Sequence, residues 1–233
     1  MYRFFVNKKE IDENEIILIG ENFNHAKVLR LRMGEKVVIC DGLGMDYITD
    51  VKSIEKSAIV LKTNEIRPNA TEPKTKITLY QALPKSDKME YIIQKAVEIG
   101  VYKIVPIITQ YCIQNKVDKL TRWQKIIESA AKQSHRGLIP QILPAITLPQ
   151  ALDEDGNKVV LYENASTPLK TYLQSNKSTE IGIFIGPEGG FSESEITLFS
   201  NHQIPVLSLG SRILKTETAS LVAIVQILYE TEL

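Results

Sequence analysis

The chain has 233 residues, 43% of them hydrophobic and 24% charged. These are ordinary globular values that exclude collagen-like, disordered and low-complexity readings and leave room for one large domain or two modest ones. The net charge of zero hides an asymmetry: residues 1–70 carry 11 basic and 11 acidic side chains, residues 71–145 carry 12 and 6, and residues 146–233 carry 5 and 11.

The first 67 residues read as short strands at 15–19, 35–41, 47–54 and 58–66. They are rich in Val and Ile, and turn signals such as Asp41-Gly42 and Lys56-Ser57 part them. One helical stretch at 23–31 interrupts them, and the spacing suits a small β-barrel. The polar run 67–73, with two prolines, is the best linker, so the boundary falls between domains 1–70 and 71–233.

After the linker the rhythm changes. Strands are expected at 76–83, 101–107, 159–162, 181–185 and 205–209, with helices at about 87–100, 118–134, 167–174, 192 onward and 218–229. Asp87 with Glu90, and Ser192 with Glu195, have the spacing of capping boxes, and Thr167-Pro168 reads as an N-cap with a proline at N1. The last helix is apolar almost all round, so it should be buried in the core or against a partner. Strands alternating with helices mean an α/β domain with a mainly parallel sheet.

In such sheets ligands bind beyond the carboxyl ends of strands. Two glycine-bearing loops stand there: the run Ile-Gly-Pro-Glu-Gly-Gly from Ile185 to Gly190, and the mixed apolar and charged run from Leu207 to Glu217. Neither has the spacing of a dinucleotide fingerprint or a P-loop. A lone glycine run is as often a tight turn as a ligand loop, but two in successive βα units suit a pocket lined by backbone for an adenine-bearing cofactor. His25, His135 and His202 are isolated, so no metal is expected. Cys40 and Cys112 have no second cysteine nearby and read as reduced thiols. Apolar stretches are too short to cross a bilayer, and no apolar region follows Lys8 and Lys9, so neither a membrane span nor a secretory leader is expected and the chain is expected to be cytoplasmic. Lys85, Lys88, Lys95, Lys103, Lys116 and Lys119 either solvate exposed helices and loops or share a face for a polyanion.

At several motifs the sequence resembles the 16S ribosomal RNA uridine-N3 methyltransferases of the SPOUT, or trefoil-knot, superfamily. They are Arg3-Phe4-Phe5; the run from His25 to Arg30 with Arg32-Met33-Gly34; the run from Lys85 to Gly100; Trp123 with the run from Ala130 to Arg136; Ile185 to Ser192; and Leu209 to Ala219. The resemblance implies a PUA-like β-barrel at 1–70 that helps hold RNA. It implies a SPOUT domain at 71–233 whose last segments tie a trefoil knot around S-adenosylmethionine, and a homodimer with its site near the subunit interface. Cofactor contacts are then expected at Leu161, Tyr162, Glu163, Ile185, Gly186, Pro187, Gly190, Leu209, Gly210, Ser211, Ile213 and Leu214. Arg136, reaching from the other subunit, with Arg212, Lys215 and Glu217, are the catalytic candidates. Arg3, His25, Arg30, Arg32, Lys85 and Lys88 are the RNA candidates. Lys215 stands where the family usually has arginine, and Ser211 where proline is common.

Other roles stay open at single positions. Arg136 sits where it can cap a helix end, His25 can be structural, Arg3, Arg30 and Arg32 can be salt-bridged surface, and Glu188 can order the glycine loop. Trp123 reads as core. The expected substrate is 16S ribosomal RNA, within the assembled small subunit. The rival readings are a ribose 2′-O-methyltransferase of the same superfamily and a non-enzymatic RNA-binding assembly factor.

Overall fold

The computed structural model describes residues 1–112 and 119–232. Lys116 of the basic run and Asp118, the expected start of a helix, lie outside the described residues. The chain divides into two compact units, Met1–Glu72 with Ala131–Ile139, and Pro73–Ala130 with Pro140–Leu233.

The first unit holds β1 (Tyr2–Phe5), β2 (Glu15–Leu18), α1 (Gly20–Val28), β3 (Lys36–Cys40), β4 (Met45–Ile54) and β5 (Ile59–Pro68). They form a five-stranded sheet in the order β1-β3-β4-β5-β2, antiparallel except for the β1–β3 pair. Alternation decides the faces: Ile16 and Leu18 are fully buried while Ile17 between them is 52% exposed. Phe4, Ile16, Leu18, Ile39, Tyr47 and Leu61 fill the core. Two register shifts between β4 and β5 interrupt the ladder and bend these long strands.

Two local details differ from the sequence reading. The helix expected at 23–31 begins at Gly20 and ends at Val28. It stops because Arg30 takes φ +55° and the Leu31 N–H reaches back to the Ala26 carbonyl at 3.3 Å, a Schellman close. The start of the proline-bearing run is strand: β5 continues to Pro68, opposite Met45. Its proline is tolerated because β2 covers β5 only from Ile59 to Lys62.

Residues 131–139 join this unit through Glu72. The Glu72 carboxylate accepts from Arg136 Nε at 2.9 Å and Nη2 at 2.7 Å, and from the Gly137 and Leu138 N–H groups at 2.7 and 3.0 Å. Gly44 N–H donates to the Gly137 carbonyl at 3.0 Å, and Cys40 Sγ lies 3.2 Å from the same oxygen. A Cβ on Gly137 would sit 2.4 Å from Asn69 Cβ. Asn69 is held by Asp46 at 2.9 Å, so it has little room to give. Gly137→Ala is therefore expected to destabilise the protein by about 2 kcal/mol, a drop of several degrees in melting temperature on calorimetry.

The second unit holds β6 (Lys76–Ala82), α2 (Lys88–Ile99), β7 (Lys103–Ile108), α3 (Leu120–Gln133), β8 (Gln141–Ile142), β9 (Ile146–Thr147), α4 (Leu148–Asp153), β10 (Lys158–Leu161), α5 (Leu169–Ser175), β11 (Glu180–Ile185), α6 (Glu193–Asn201), β12 (Val206–Leu207) and α7 (Thr216–Glu232). Only the last three residues of α3, from Ala131, fall in the first unit. The sheet runs β12-β10-β11-β6-β7-β8, with β9 also on β7, and every pairing is parallel. Parallel neighbours need crossovers, which is why strand and helix periods alternate along this part of the sequence. The sheet core stacks Tyr80 on Phe184 at 4.4 Å between ring centroids, with Phe199 edge-on to Phe184 at 5.0 Å. Trp123 on α3 is buried, as a core reading requires.

The capping chemistry is mixed. Ser192 and Glu195 close a reciprocal box, Glu195 N–H to Ser192 Oγ at 3.3 Å and Ser192 N–H to Glu195 Oε2 at 2.9 Å. Asp87 makes no side-chain cap: its ψ of 11° is not extended, and its carboxylate faces Lys119 at 3.7 Å. Pro168, rather than Thr167, is the N-cap of α5. Helix α4, with Gln150 Oε1 accepting from Thr147 N–H at 2.9 Å, escaped the sequence reading because it is only six residues long. Helix α7 buries Ala223, Ile224 and Ile227, while Val225 and Tyr229 are exposed, so its apolar surface is covered on one side only.

Candidate functional site

Three neighbouring parallel strands, β12, β10 and β11, end on the same side of the sheet, and beyond their carboxyl ends lies a cavity of about 450 Å³. Residues 161–163 after β10, 185–191 after β11, and 209, 210 and 212–216 after β12 line it, with Ala219 from the first turns of α7. Every expected cofactor residue faces this cavity except Ser211. Apolar Leu161, Ile185, Leu209 and Leu214 share the wall with four charges, Glu163, Glu188, Arg212 and Lys215.

Two glycines set the shape of the wall. A Cβ on Gly186 would lie 3.0 Å from the Gly190 carbonyl carbon, so the loop doubles back on itself with no space for a side chain. Gly210 has φ +124°, which L side chains rarely adopt, so the turn after β12 needs glycine. The glycine loop then enters α6 through the Ser192–Glu195 box. Glu195 also accepts from the Gln110 N–H at 2.8 Å, which ties the loop after β7 to the same helix start.

A charged group flanks the cavity. Glu188 accepts from the Lys85 N–H at 3.1 and 3.2 Å and from Lys88 Nζ at 2.9 Å. Burial works to raise the Glu188 carboxyl, but the hydrogen bonds from Lys88 and from backbone N–H groups outweigh it and hold it below the usual carboxylate range. Glu217 stands 3.6 Å from the same Lys88 Nζ, and its Oε2 is buried with no hydrogen-bond partner among the described residues. Lys88, Tyr91, Glu217, Thr218, Leu221 and Val222 line a second, shallower groove between α2 and α7.

The expected catalytic and RNA residues are distributed over both units. Arg212 and Lys215 line the cavity, and Glu217 lines the neighbouring groove. Arg136 belongs to the first unit, where its guanidinium is almost fully buried on Glu72 of the same chain. Arg3 is likewise committed, to Asp46, with both side chains 8% exposed. Arg30 and Arg32 are exposed at the end of α1 and after it, near exposed Val28 and Met33. His25 is exposed and stacks edge-on against Phe4 at 5.3 Å. Lys85 is exposed, and Lys88 is shared by two carboxylates. Among the described residues no cluster of His, Cys, Asp or Glu is built to hold a metal ion, and no helix is long and apolar enough to cross a membrane.

Sequence reasoning missed Glu72 and Thr216. Glu72 lay in a polar linker, where one acid carries no signal. Thr216 sat inside a quoted motif, but its partners are far away in sequence.

A family model described as an RNA methyltransferase domain matches residues 71–228, and one described as an RNA methyltransferase PUA domain matches residues 18–63. The ribosomal RNA small subunit methyltransferase E of Bacillus subtilis is 33% identical over 255 aligned residues, covering 100% of this chain and 98% of that protein. Its Mesomycoplasma hyopneumoniae counterpart is 37% identical, with 95% and 96% covered. The Neisseria gonorrhoeae enzyme of the same name, solved bound to S-adenosylmethionine, superposes with a TM-score of 0.89 at 31% identity, over 99% of this chain and 98% of that one.

Proposed function

The chain belongs to the RNA methyltransferase family that carries an N-terminal PUA domain, and from that premise we propose that it transfers a methyl group from S-adenosylmethionine to N3 of a uridine in 16S ribosomal RNA. The observation that carries the reading is the cavity itself, built from three adjacent strand ends and bounded by glycine backbone where a side chain would intrude. Its volume of about 450 Å³ lies in the range of small-molecule sites. The mixture of apolar residues, backbone groups and a few charges fits a ligand with an adenine ring and a charged tail.

The cofactor supplies an electrophilic methyl carbon on a sulfonium sulfur. Residues 161–163, Ile185, Gly186, Pro187 and Gly190, with the turn at 209–214, hold it through backbone amides and carbonyls and through apolar contact. Uridine N3 carries a proton and is a poor nucleophile until that proton is lost. Arg212 and Lys215 put two cations on the cavity wall, where they stabilise the imide anion. Glu217 and Lys88, ion-paired at 3.6 Å, meet the nucleotide next to them. Lys215 in place of arginine keeps the charge and gives up a bidentate fork.

In this reading residues 1–70 hold RNA, with the exposed Arg30 and Arg32 contacting phosphate. Residues 71–233 form the SPOUT domain, its last segments knotted around the cofactor. The uncovered apolar face of α7 meets a second copy of the chain, and the substrate is the assembled small subunit, in the cytoplasm.

The test combines calorimetric titration of the purified protein with S-adenosylmethionine and methylation of unmodified small subunits with labelled cofactor, followed by nucleoside analysis. Saturable binding and 3-methyluridine are expected. A product whose backbone resists alkali would replace N3 by a ribose 2′-hydroxyl. Absence of both binding and label would leave an RNA-binding module.

A further inference from the structure

A chain of buried polar side chains lies directly behind the cavity wall. Gln81, at the carboxyl end of β6, is fully buried, as is Ser220 on α7, and Thr216 at the start of α7 is 4% exposed. Gln81 Nε2 donates to the Ala82 carbonyl at 2.9 Å and to Thr216 Oγ1 at 3.0 Å. Ser220 Oγ has both Gln81 Oε1 and the Thr216 carbonyl, the latter at 2.8 Å, within reach of its one hydrogen. Thr216 Oγ1 in turn donates to the Gly186 carbonyl at 2.6 Å.

The donor directions are fixed along the link from Gln81 through Thr216 to Gly186. The Ala82 carbonyl can only accept, so the Gln81 amide must present its NH₂ group there, and the second N–H then points at Thr216. With one lone pair of Thr216 Oγ1 taken, its single hydrogen goes to Gly186. The Gln81 amide N–H groups and the Thr216 hydroxyl are satisfied in this arrangement, and a broken link would leave a desolvated polar atom behind. The two ends matter: Gly186 belongs to the glycine loop after β11 and Thr216 closes the turn after β12, and both line the cavity.

We propose that Gln81, Thr216 and Ser220 are positioning residues that fix the glycine loop and the first turn of α7 at one separation, so that the two backbone walls of the cofactor cavity are set before the ligand arrives. Gln81 touches no part of the cavity and acts through Thr216. The relay rests on the reading of this cavity as the S-adenosylmethionine site. The glycine backbone in this wall cannot adapt by changing rotamers, so the contacts it makes depend on the spacing of the loops.

Thr216→Val keeps the shape and removes the donor; Thr216→Ser keeps the donor. Calorimetric titration with S-adenosylmethionine and thermal melts are to be run on both, on Gln81→Leu, and on Thr49→Val, which removes a fully buried hydroxyl donating to the Val37 carbonyl in the other unit. Thr216→Val and Gln81→Leu are expected to raise the cofactor Kd tenfold or more. Thr216→Ser should stay within twofold of wild type, and Thr49→Val should lower the melting temperature with Kd unchanged. Lowered melting temperatures with Kd within twofold for both Thr216→Val and Gln81→Leu would make the network structural only and overturn the proposal. Should Gln81→Leu fail to fold, the Thr216 pair decides alone. Failure of the cavity reading looks different: Gly186→Val would then bind the cofactor as wild type does, and the relay would fall with it.

Discussion

Gly186→Val is expected to raise the S-adenosylmethionine Kd at least a hundredfold while the protein stays folded. The position tolerates no side chain, because a Cβ there would meet the Gly190 carbonyl carbon at 3.0 Å and Gly190 Cα at 3.1 Å, and backbone cannot rotate away as a long side chain can. Valine adds two further methyl groups, so the Gly190 turn must move outward. Strand β11 ends at Ile185, so the displacement falls on the loop beyond the sheet and spares the ladder to β6 and β10. Gly210→Val is expected to act likewise through strain at φ +124°, about 1–3 kcal/mol at the turn, with open space around it. Calorimetric titration and thermal melting check both. Wild-type affinity in either variant would place the cofactor elsewhere.

Glu72→Ala is expected to cost about 3 kcal/mol of stability, the low end for breaking a buried ion pair. The Glu72 carboxylate gathers the Arg136 guanidinium and the N–H groups of Gly137 and Leu138, so one substitution removes the anchor of the whole 131–139 segment. The pair is also pH-sensitive. Burial acts to raise the Glu72 carboxyl, but the Arg136 guanidinium and the two backbone N–H groups prevail and lower it from the ordinary 4.5. The folded state therefore favours the ionised form. Its stabilisation is complete above the ordinary carboxylate value and is lost as pH falls through the lowered one. In denaturant melts the gap between wild type and Glu72→Gln should be constant from pH 7 down to about 5 and begin to narrow below about 4.5, continuing as pH falls through the lowered value. A gap independent of pH down to 3 would show that the charge contributes nothing.

The contrast between Arg136 and Arg212 shows how far a motif reaches. Both stand in motifs of the family resemblance, Arg212 expected at the site of its own chain and Arg136 at that of a second copy. Arg212 lines the cavity because its place follows from chain connectivity: it lies in the turn after β12, and strand ends are where such cavities form. Arg136 lies in a segment whose location depends on Glu72, 64 residues away in sequence. Arg3 repeats the case, paired with Asp46 across β1 and β4. A guanidinium takes any carboxylate within reach, and neither residue type nor spacing reports reach.

What the sequence by itself determined was periodic and local. Alternation in the first 67 residues and the alternating strand and helix periods after residue 75 expressed which faces are buried, and burial is a property each residue carries in its own side chain. The Ser192–Glu195 box and the glycine runs at 186–190 and 210 were legible for the same reason, since capping and positive φ are satisfied within a few residues. The tertiary structure decided pairing. It chose Glu72 for Arg136, Glu188 and Glu217 for Lys88, and Gln81 for Thr216. A buried hydrogen bond forms wherever folding brings donor to acceptor, and in a parallel sheet with long crossovers those partners come from strands and helices far apart in the chain.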